Sequence, residues 1–502
     1  MNSHQVQTSY RLGTRKSLLA IAQSSWVARE LERLNPGITI ELVGIETKGD
    51  VILDKPLSQV EGKEFFTAEL DLALIRGDVD LTVHSMKDLS LERPPQLKLA
   101  ATPTREFAHD IIVFHESTTE RLQKGEAIRI GTSSPRRLAL IPEFLKNALP
   151  RFNSHEPRVQ FVEIRGNVNT RLSRVHEEAH SEKKLDGVVL AFAGLERLAM
   201  DANASIELYR LLEHTKMMIV PLNICPSAPA QGALAIEARA EATETLSMIQ
   251  KIHNPATLAA VQEERKILGE WGGGCHQKLG ASLIAPGVLS IKGQKHNGDW
   301  VNEFRGEVKN DFSAYTKVEA SDVFNFRLKP LTHEESALLK EGSQVFVAHS
   351  RAFDFLENKS VLTNKRVWVS GHKSWFKIAA QGIWVEGCLE GMGFQFMPKF
   401  QQKKLLRLSS SFLFLTHLES APTPGTTHLA TYSHEFREIP QKAKDADQIF
   451  WSSGLPFQVL WSKLGADFWL KKKHASGPGK TAQLLKETLT PHGVNDVSTF
   501  QS

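Results

Sequence analysis

A chain of 502 residues is longer than one hydrophobic core serves, so two to four domains are expected. A hydrophobic share of 41% and a charged share of 24% exclude a disordered or collagen-like chain, and a net charge of only +4 argues against bulk nucleic-acid binding while leaving room for a positive cleft. Three distant cysteines (Cys225, Cys275 and Cys388) form neither a disulfide framework nor a metal-ligand spacing, and no apolar leader or run of about 18 apolar residues occurs, so the expectation is a cytoplasmic protein without a membrane span.

In chain order, ITIELVGIET (38–47) predicts a strand, FTAELDLALIRGDVD (66–80) a helix and LTVHSM (81–86) a strand. AIRIGTSS (127–134) predicts a strand running into a helix, and RVQFVEI (158–164) and LDGVVLAFAG (185–194) repeat the pattern. Strands alternating with helices of this length predict α/β units with a partly parallel sheet, where ligands bind at strand C-terminal ends. The Pro- and Gly-punctuated stretch 219–240 predicts a crossing between domains. NPATLAAVQEERKILGEW (254–271) predicts a helix leading into GGGCHQ (272–277), and 281–308 alternates with turn residues as a small antiparallel sheet does. Beyond about residue 320 lie six of the nine Trp, and KRVWVSG, SFLFLTH, QIFWSSG and KKHASGPGKTAQLLKETL predict a second α/β alternation.

The predicted strand ends are unusually basic. Arg15 lies in LGTRKS, Lys63 in VEGKEFF, Lys87 in HSMKD, Arg136 and Arg137 in GTSSPRR, Arg165 and Arg171 in EIRGNVNTR, and Arg197 in GLER. Helix N-termini, hydroxyls and guanidinium forks bind carboxylates or phosphates. Singly, each cation reads more simply as a solvated surface residue or a helix cap, but GTSSPRR and EIRGNVNTR together weigh against that. Asp88 follows an apolar strand beside Lys87, where a doubly wound sheet presents a carboxylate to a cleft. Among cations it stays ionised and can stabilise developing positive charge; the plainer alternative is an N-cap or a salt-bridged Asp. Cys275, behind three glycines, is on its own a small buried thiol in a turn.

Seven collinear stretches carry more weight together: RLGTRKSLLAIAQ, KGDVILDKPLSQVEGKEFFTAELDLALIRGDVDLTVHSMKDL, IGTSSPRRLAL, EIRGNVNTRL, LDGVVLAFAGLERL, PSAPAQGALAIE and GGGCHQKLGA. Across about residues 8–315 they resemble the porphobilinogen deaminase (hydroxymethylbilane synthase) family. The resemblance implies an α/β chain with two type-II periplasmic-binding-protein-like domains, 1–114 with 217–238 and 115–216, and a small α+β cofactor-carrying domain, 239–318. It implies that Cys275 holds a dipyrromethane cofactor through a thioether, the glycines leaving room for a pyrrole. Four porphobilinogen molecules would condense on it with loss of ammonia, and hydroxymethylbilane would leave by hydrolysis. Asp88 and Lys87 take the catalytic positions, Asp88 stabilising positive pyrrole nitrogens. Arg15, Ser17, Lys63, Ser85, Ser133, Arg136, Arg137, Arg165, Arg171 and Arg197 fall where the family binds the acetates and propionates of cofactor and substrate. Neither metal, nucleic acid nor membrane is implied as a partner.

Four departures leave Cys275 and Asp88 intact: Gln277-Lys278 replaces a common Val-Pro, His109 a usual arginine, Leu18 a common Pro, and Gln59 a residue that is basic in some members. They bear on chain accommodation and turnover rate. Residues 319–502 exceed the family's usual length; VFVAHSRAFDFLENK, THLATYSHEFREIP, ADQIFWSSGLPFQVLWSKLG and HASGPGKTAQLLKETLTPHGV resemble parts of uroporphyrinogen-III synthase. That implies a C-terminal α/β synthase-like domain of two lobes, closing the hydroxymethylbilane ring with the last pyrrole inverted. Hydroxyls of WSSG and the turn SGPGKT are its candidate propionate binders, and SGPGKT is no Walker A loop because His474 stands where the first glycine is required. The alternatives are a non-catalytic C-terminal domain, one that docks a separate synthase, and a pure anion-binding module, which needs the arginines but not Cys275 or Asp88.

Overall fold

The structure, a computed structural model, describes residues 8–47, 67–153, 155–178, 180–274, 277–306, 308–309 and 311–500. It divides into two compact units, residues 1–144, 158–283 and 291–302 in one and 145–157, 284–290 and 303–502 in the other.

The strands of the first unit are β1 (Ser9–Arg15), β2 (Thr39–Ile45), β3 (Leu81–Ser85), β4 (Leu97–Ala101), β5 (Asp110–His115), β6 (Ile128–Gly131), β7 (Val159–Val162), β8 (Gly187–Ala191), β9 (Thr215–Val220) and β10 (Leu234–Arg239). They form two sheets of one plan, β2-β1-β3-β10-β4 and β7-β6-β8-β5-β9. In each, the first three strands are parallel and the fourth is antiparallel to both neighbours. The fourth strands are the crossing ones: β5 follows β4 out of the first sheet, and β10 follows β9 back into it. This is the type-II periplasmic-binding-protein topology.

The expected boundaries at 114 and 217 fall inside β5 and β9. β5 lies wholly in the second sheet, paired with β9 from Asp110↔Val220 to His115↔Thr215, so those cuts pass through paired strands. An apolar crossing strand reads the same in sequence whichever sheet it joins.

Helix α1 (Leu18–Leu34) starts at Ser17, whose hydroxyl accepts from the Ala20 N–H, an ordinary N-cap. Its Val27, Ala28 and Leu31 pack with Tyr10, Leu12, Leu81, Val83 and Ile236 on the first sheet. Helix α2 (Ala68–Arg76) stops at Gly77, whose φ of 80° is the left-handed conformation that ends helices. Helices α3 (Pro135–Ala148), α4 (Val168–Ser173) and α5 (Phe192–Met200) each follow a strand of the second sheet. Helix α6 (Pro255–Glu270) is capped by Asn254, with Pro at its first position. After it, β11 (Lys278–Ala285), β12 (Val288–Gln294) and β13 (Trp300–Gly306) form a three-stranded sheet, the two-residue Pro286-Gly287 connection making its first pair antiparallel.

The second unit continues with β14 (Val308–Lys309), β15 (Thr316–Val318), β16 (Phe324–Leu328), β17 (Gln344–Val347), β18 (Arg366–Val369), β19 (Val385–Cys388), β20 (Phe412–His417), β21 (Thr426–Phe436), β22 (Gln448–Trp451), β23 (Lys473–Ser476) and β24 (Val497–Phe500). One sheet is all parallel, β14-β24-β23-β22-β15; the other, β16-β21-β20-β17-β18-β19, is parallel apart from its β16–β21 pair. The chain leaves the first of these lobes along β16 and returns along β21, two antiparallel strands registered from Phe324↔Phe436 to Leu328↔Tyr432. Residues 308–309 and 316–318, expected to close the cofactor domain, instead supply β14 and β15 to this sheet; such short runs carry no sequence pattern of their own. Trp368, Trp451 and Trp469 are fully buried, each with its indole N–H donated, to Glu386, His474 and the Leu460 carbonyl. Among the described residues no helix is long and apolar enough to cross a membrane.

Candidate active site

At the end of β3 the chain turns through a short 3-10 helix, Met86–Asp88. Met86 and Leu89 are buried against Ala230, Ala233, Ala235 and Val261, which leaves Lys87 half-buried and Asp88 exposed at the strand end. The Met86 N–H donates to the Ala233 carbonyl at 3.0 Å. Arg265, on α6, donates from Nη1 to the Met86 and Leu89 carbonyls, both at 3.0 Å, and from Nη2 to the Ser90 carbonyl at 2.8 Å. One guanidinium thus satisfies three carbonyls that the turn leaves without ladder partners.

Lys87 Nζ donates to Gln231 Oε1 at 3.2 Å, and Gln231 Nε2 donates to Asp110 Oδ1 at 3.0 Å. Asp110 is fully buried and receives Arg137 from Nε and Nη2 (3.1 and 2.8 Å) and lies 2.7 Å from Arg136 Nη2. Arg136 also donates to the Pro226 carbonyl and Arg137 to that of Val189. These two arginines therefore spend their forks inside the protein. Burial alone would raise the Asp110 carboxyl, but Arg136 and Arg137 outweigh it and hold it far below the ordinary carboxylate range.

Lys87, Asp88, Arg137, Arg165 and Arg171 act on one another electrostatically. Burial lowers the Lys87 ammonium, Asp88 opposes and Arg137 adds to the shift. Arg171, on α4, is brought down to about 10 by burial first, then by Arg137 and Arg165, with Asp88 opposing. Arg165 Nη2 is buried and has no hydrogen-bond partner among the described residues. A group carrying several carboxylates fits this donor set, since it would satisfy the orphaned nitrogen and relieve the crowding of positive charge. A dipyrromethane with acetate and propionate side chains is such a group.

The other sequence-predicted residues are placed as follows. Arg15 ends β1, half-buried and near enough to His84 to lower it. Ser17 caps α1, Ser85 shares hydrogen bonds with Gln23 of the same helix, and Ser133 donates to the Ile164 carbonyl. Arg197, on α5, donates to the Gly232 carbonyl and is lowered to about 10 by burial, Glu106 opposing. Lys63 and Cys275 lie outside the described residues. Two residues after Cys275 in the sequence, the departure residue Gln277 is buried and donates from Nε2 to the Gly273 carbonyl at 3.0 Å. Lys278 Nζ donates to Gln294. In the second unit, Ser452 donates to the Val318 carbonyl, Ser476 to that of Gly477, and His474 is buried inside β23.

Sequence reasoning missed Asp110, Gln231 and Arg265. Asp110 follows the departure residue His109 and Gln231 lies inside the quoted PSAPAQGALAIE, where their neighbours drew the reading; Arg265 had no such signal.

A family model described as porphobilinogen deaminase, dipyromethane cofactor binding domain, matches residues 10–247. The porphobilinogen deaminase of Syntrophotalea carbinolica is 39% identical over 289 residues, covering 57% of this chain and 82% of that protein. Those of Synechococcus elongatus and Syntrophomonas wolfei are 35% and 36% identical, covering 60% and 59% of this chain and 87% and 88% of theirs. Among solved structures, the methionine-binding protein MetQ aligns over 51% of this chain and 95% of its own at 13% identity, with a TM-score of 0.28, too low to add to the strand orders above. With motifs, strand order and relatives in agreement, the chain belongs to the porphobilinogen deaminase family.

Proposed function

We propose that this chain condenses four porphobilinogen molecules into hydroxymethylbilane, with release of ammonia, on a dipyrromethane held by Cys275, and that it does so in the cytoplasm. The observation that carries the reading is the Met86–Asp88 turn, which offers an exposed carboxylate beside Lys87 and Arg171 while Arg165 keeps an unpaired buried nitrogen. When bound, the dipyrromethane supplies the pyrrole carbon that primes the chain. Asp88, set among cations, stabilises positive charge on a pyrrole nitrogen and takes the proton released from the attacking pyrrole carbon as each new carbon–carbon bond forms. Lys87, Arg165 and Arg171 hold acetate and propionate carboxylates, each bidentate arginine–carboxylate contact contributing roughly 1.5–3 kcal/mol when partly desolvated. Arg15, Ser17, Lys63, Ser85, Ser133 and Arg197 extend this anion-binding wall. Arg136 and Arg137 act behind it as buried charge. The three deaminase domains correspond to the first sheet, the second sheet, and α6 with β11–β13.

The test is the intact mass of the denatured protein with a peptide map over residues 266–278. An adduct of two linked pyrroles on Cys275, absent together with turnover in Cys275→Ala, is expected. An unmodified thiol after incubation with porphobilinogen overturns the proposal.

A second reading concerns the appended lobes, residues 308–502. Two α/β lobes joined by the antiparallel pair β16–β21 are what the uroporphyrinogen-III synthase resemblance implies, and this supports a second, ring-closing activity. Isomer analysis of the product tests it: uroporphyrinogen III from the protein alone is expected. Isomer I overturns it in favour of a non-catalytic domain that docks a separate synthase.

A further inference from the structure

Two groups of metal-ligating side chains stand outside the deaminase site. In the first, Asp71, His84 and Glu237, the Arg93 guanidinium is already inserted at 2.6 Å from Asp71 and 2.7 Å from Glu237, so the position a cation would take is filled. The second, His417, Glu419 and His434 in the appended lobes, has no such cation among its described contacts. We propose that His417, Glu419 and His434 bind one divalent transition-metal ion of the zinc class through the two Nδ1 atoms and Glu419 Oε2.

The geometry comes from the sheet. His417 ends β20 at an irregularity in its pairing with β21, where the register shifts between Thr416 and His417, and such shifts re-aim side chains. His434 lies on β21, and Glu419 follows β20 by one turn. Glu419 Oε2 is 3.2 Å from His417 Nδ1 and 3.0 Å from His434 Nδ1, and the three donor atoms lie within 4.8 Å of one another. Zinc bonds of about 2.0–2.1 Å in a tetrahedron put ligand atoms about 3.3 Å apart, so the carboxylate is already near ligand spacing.

The side chains are also held in place. Glu419 Oε1 accepts the His434 N–H at 3.1 Å, which leaves Oε2 as the oxygen facing the rings. Phe324, Phe326 and Tyr432 sit around the His434 ring at centroid distances of 5.0, 5.4 and 5.3 Å, fixing its plane. Without an ion, both Nδ1–H groups donate to Oε2; binding moves each proton to Nε2 of its own ring, and no proton is lost from the neutral imidazoles. Two His and one Glu leave a tetrahedral ion one open position. His417 also lines a cavity of about 320 Å³ with Lys329, Glu335, Thr426 and His428, so that position has room for water or an oxygen ligand.

The test uses the full chain, stripped of metal by a chelator, then loaded with Zn²⁺ or Co²⁺ and freed of excess ion by gel filtration. One ion per chain is expected, with visible Co²⁺ absorption of a tetrahedral nitrogen–oxygen site. Glu419→Gln keeps the carboxamide shape at a partly exposed position and should weaken binding at least about tenfold with an unchanged far-ultraviolet spectrum; His417→Ala should do the same. Unchanged binding in both variants, no ion retained by the parent chain, or thiolate charge-transfer bands placing the ion on a cysteine would each overturn the proposal.

Discussion

Lys87 and Gln231 meet at 3.2 Å, and through Gln231 the lysine beside Asp88 is joined to Asp110 and its two arginines. The amide is the only neutral member of that chain of groups. Its Oε1 accepts a hydrogen bond from a cation while its Nε2 donates one to an anion, so the side chain fits in one orientation. Gln231→Ala removes these bonds and those from Nε2 to the Ala108 and His109 carbonyls, at a position only 1% exposed, and leaves Lys87 without this acceptor. A stability loss of about 1–3 kcal/mol in urea unfolding is expected, with a fall in kcat for hydroxymethylbilane formation. Unchanged stability and kcat would mean that Lys87 is positioned by other groups.

Asp110 is one carboxylate facing two buried guanidinium groups, so its removal costs more than its hydrogen bonds. Asp110→Asn leaves Arg136 and Arg137 with uncompensated buried charge, and a loss of about 3–5 kcal/mol is expected. The pH dependence has a definite sign. The folded-state pKa is depressed, so the contribution is present above the unfolded carboxyl value of about 3.9 and is lost as pH falls below it. Urea midpoints measured from pH 7 down to 3 should show the parent losing part of its advantage over the variant only at the acid end.

The parallel strands were readable because their apolar runs end at turn residues; LTVHSM and AIRIGTSS became β3 and β6 within two or three residues. Lys87 and Asp88 were readable because they sit at such an end. The crossing strands were not assignable, since pairing is a property of two segments far apart in the chain. Arg265 was hidden for a different reason: it follows Glu263 and Glu264 and precedes Lys266, which reads as a solvated helix face. The fold instead buries Glu264 completely, against Arg105 with both oxygens at 2.8 Å, and turns Arg265 onto the Met86–Asp88 turn. His417 and His434 come together only through strand pairing.

Arg265→Ala tests whether that clamp matters for catalysis. Three carbonyls lose a donor, and the Met86–Asp88 turn keeps its apolar anchors, the Met86 N–H bond to Ala233, the Leu89 N–H bond to Met86 and the Lys87–Gln231 bond. The expected outcome is a kcat about ten- to a hundredfold lower with KM changed little, because in the proposed function the displaced carboxylate acts at the reacting centre and not on the substrate's side chains. Arg265→Lys, which reaches with one point charge instead of a fork, should recover part of the loss. A rise in KM at constant kcat would instead assign Arg265 to substrate binding.

His84 supplies a pH response inside the first sheet. It is buried on β3 with Nε2 3.1 Å from Thr82 Oγ1 and 3.5 Å from Glu237. Burial brings it down to about 4, Asp71 opposing and Arg93 and Arg15 adding to the shift. Between that value and its ordinary 6.5 the unfolded chain binds a proton that the folded chain does not, so stability falls as pH falls through this window. The linked loss between pH 7 and 5 is about 2 kcal/mol. His84→Gln cannot titrate, so its unfolding free energy from urea titration should fall less than the parent's between those two pH values, by about that loss. Equal shifts in the two proteins would show that His84 is protonated in the folded state as readily as in the unfolded one, with the buried carboxylates outweighing the loss of water around the ring.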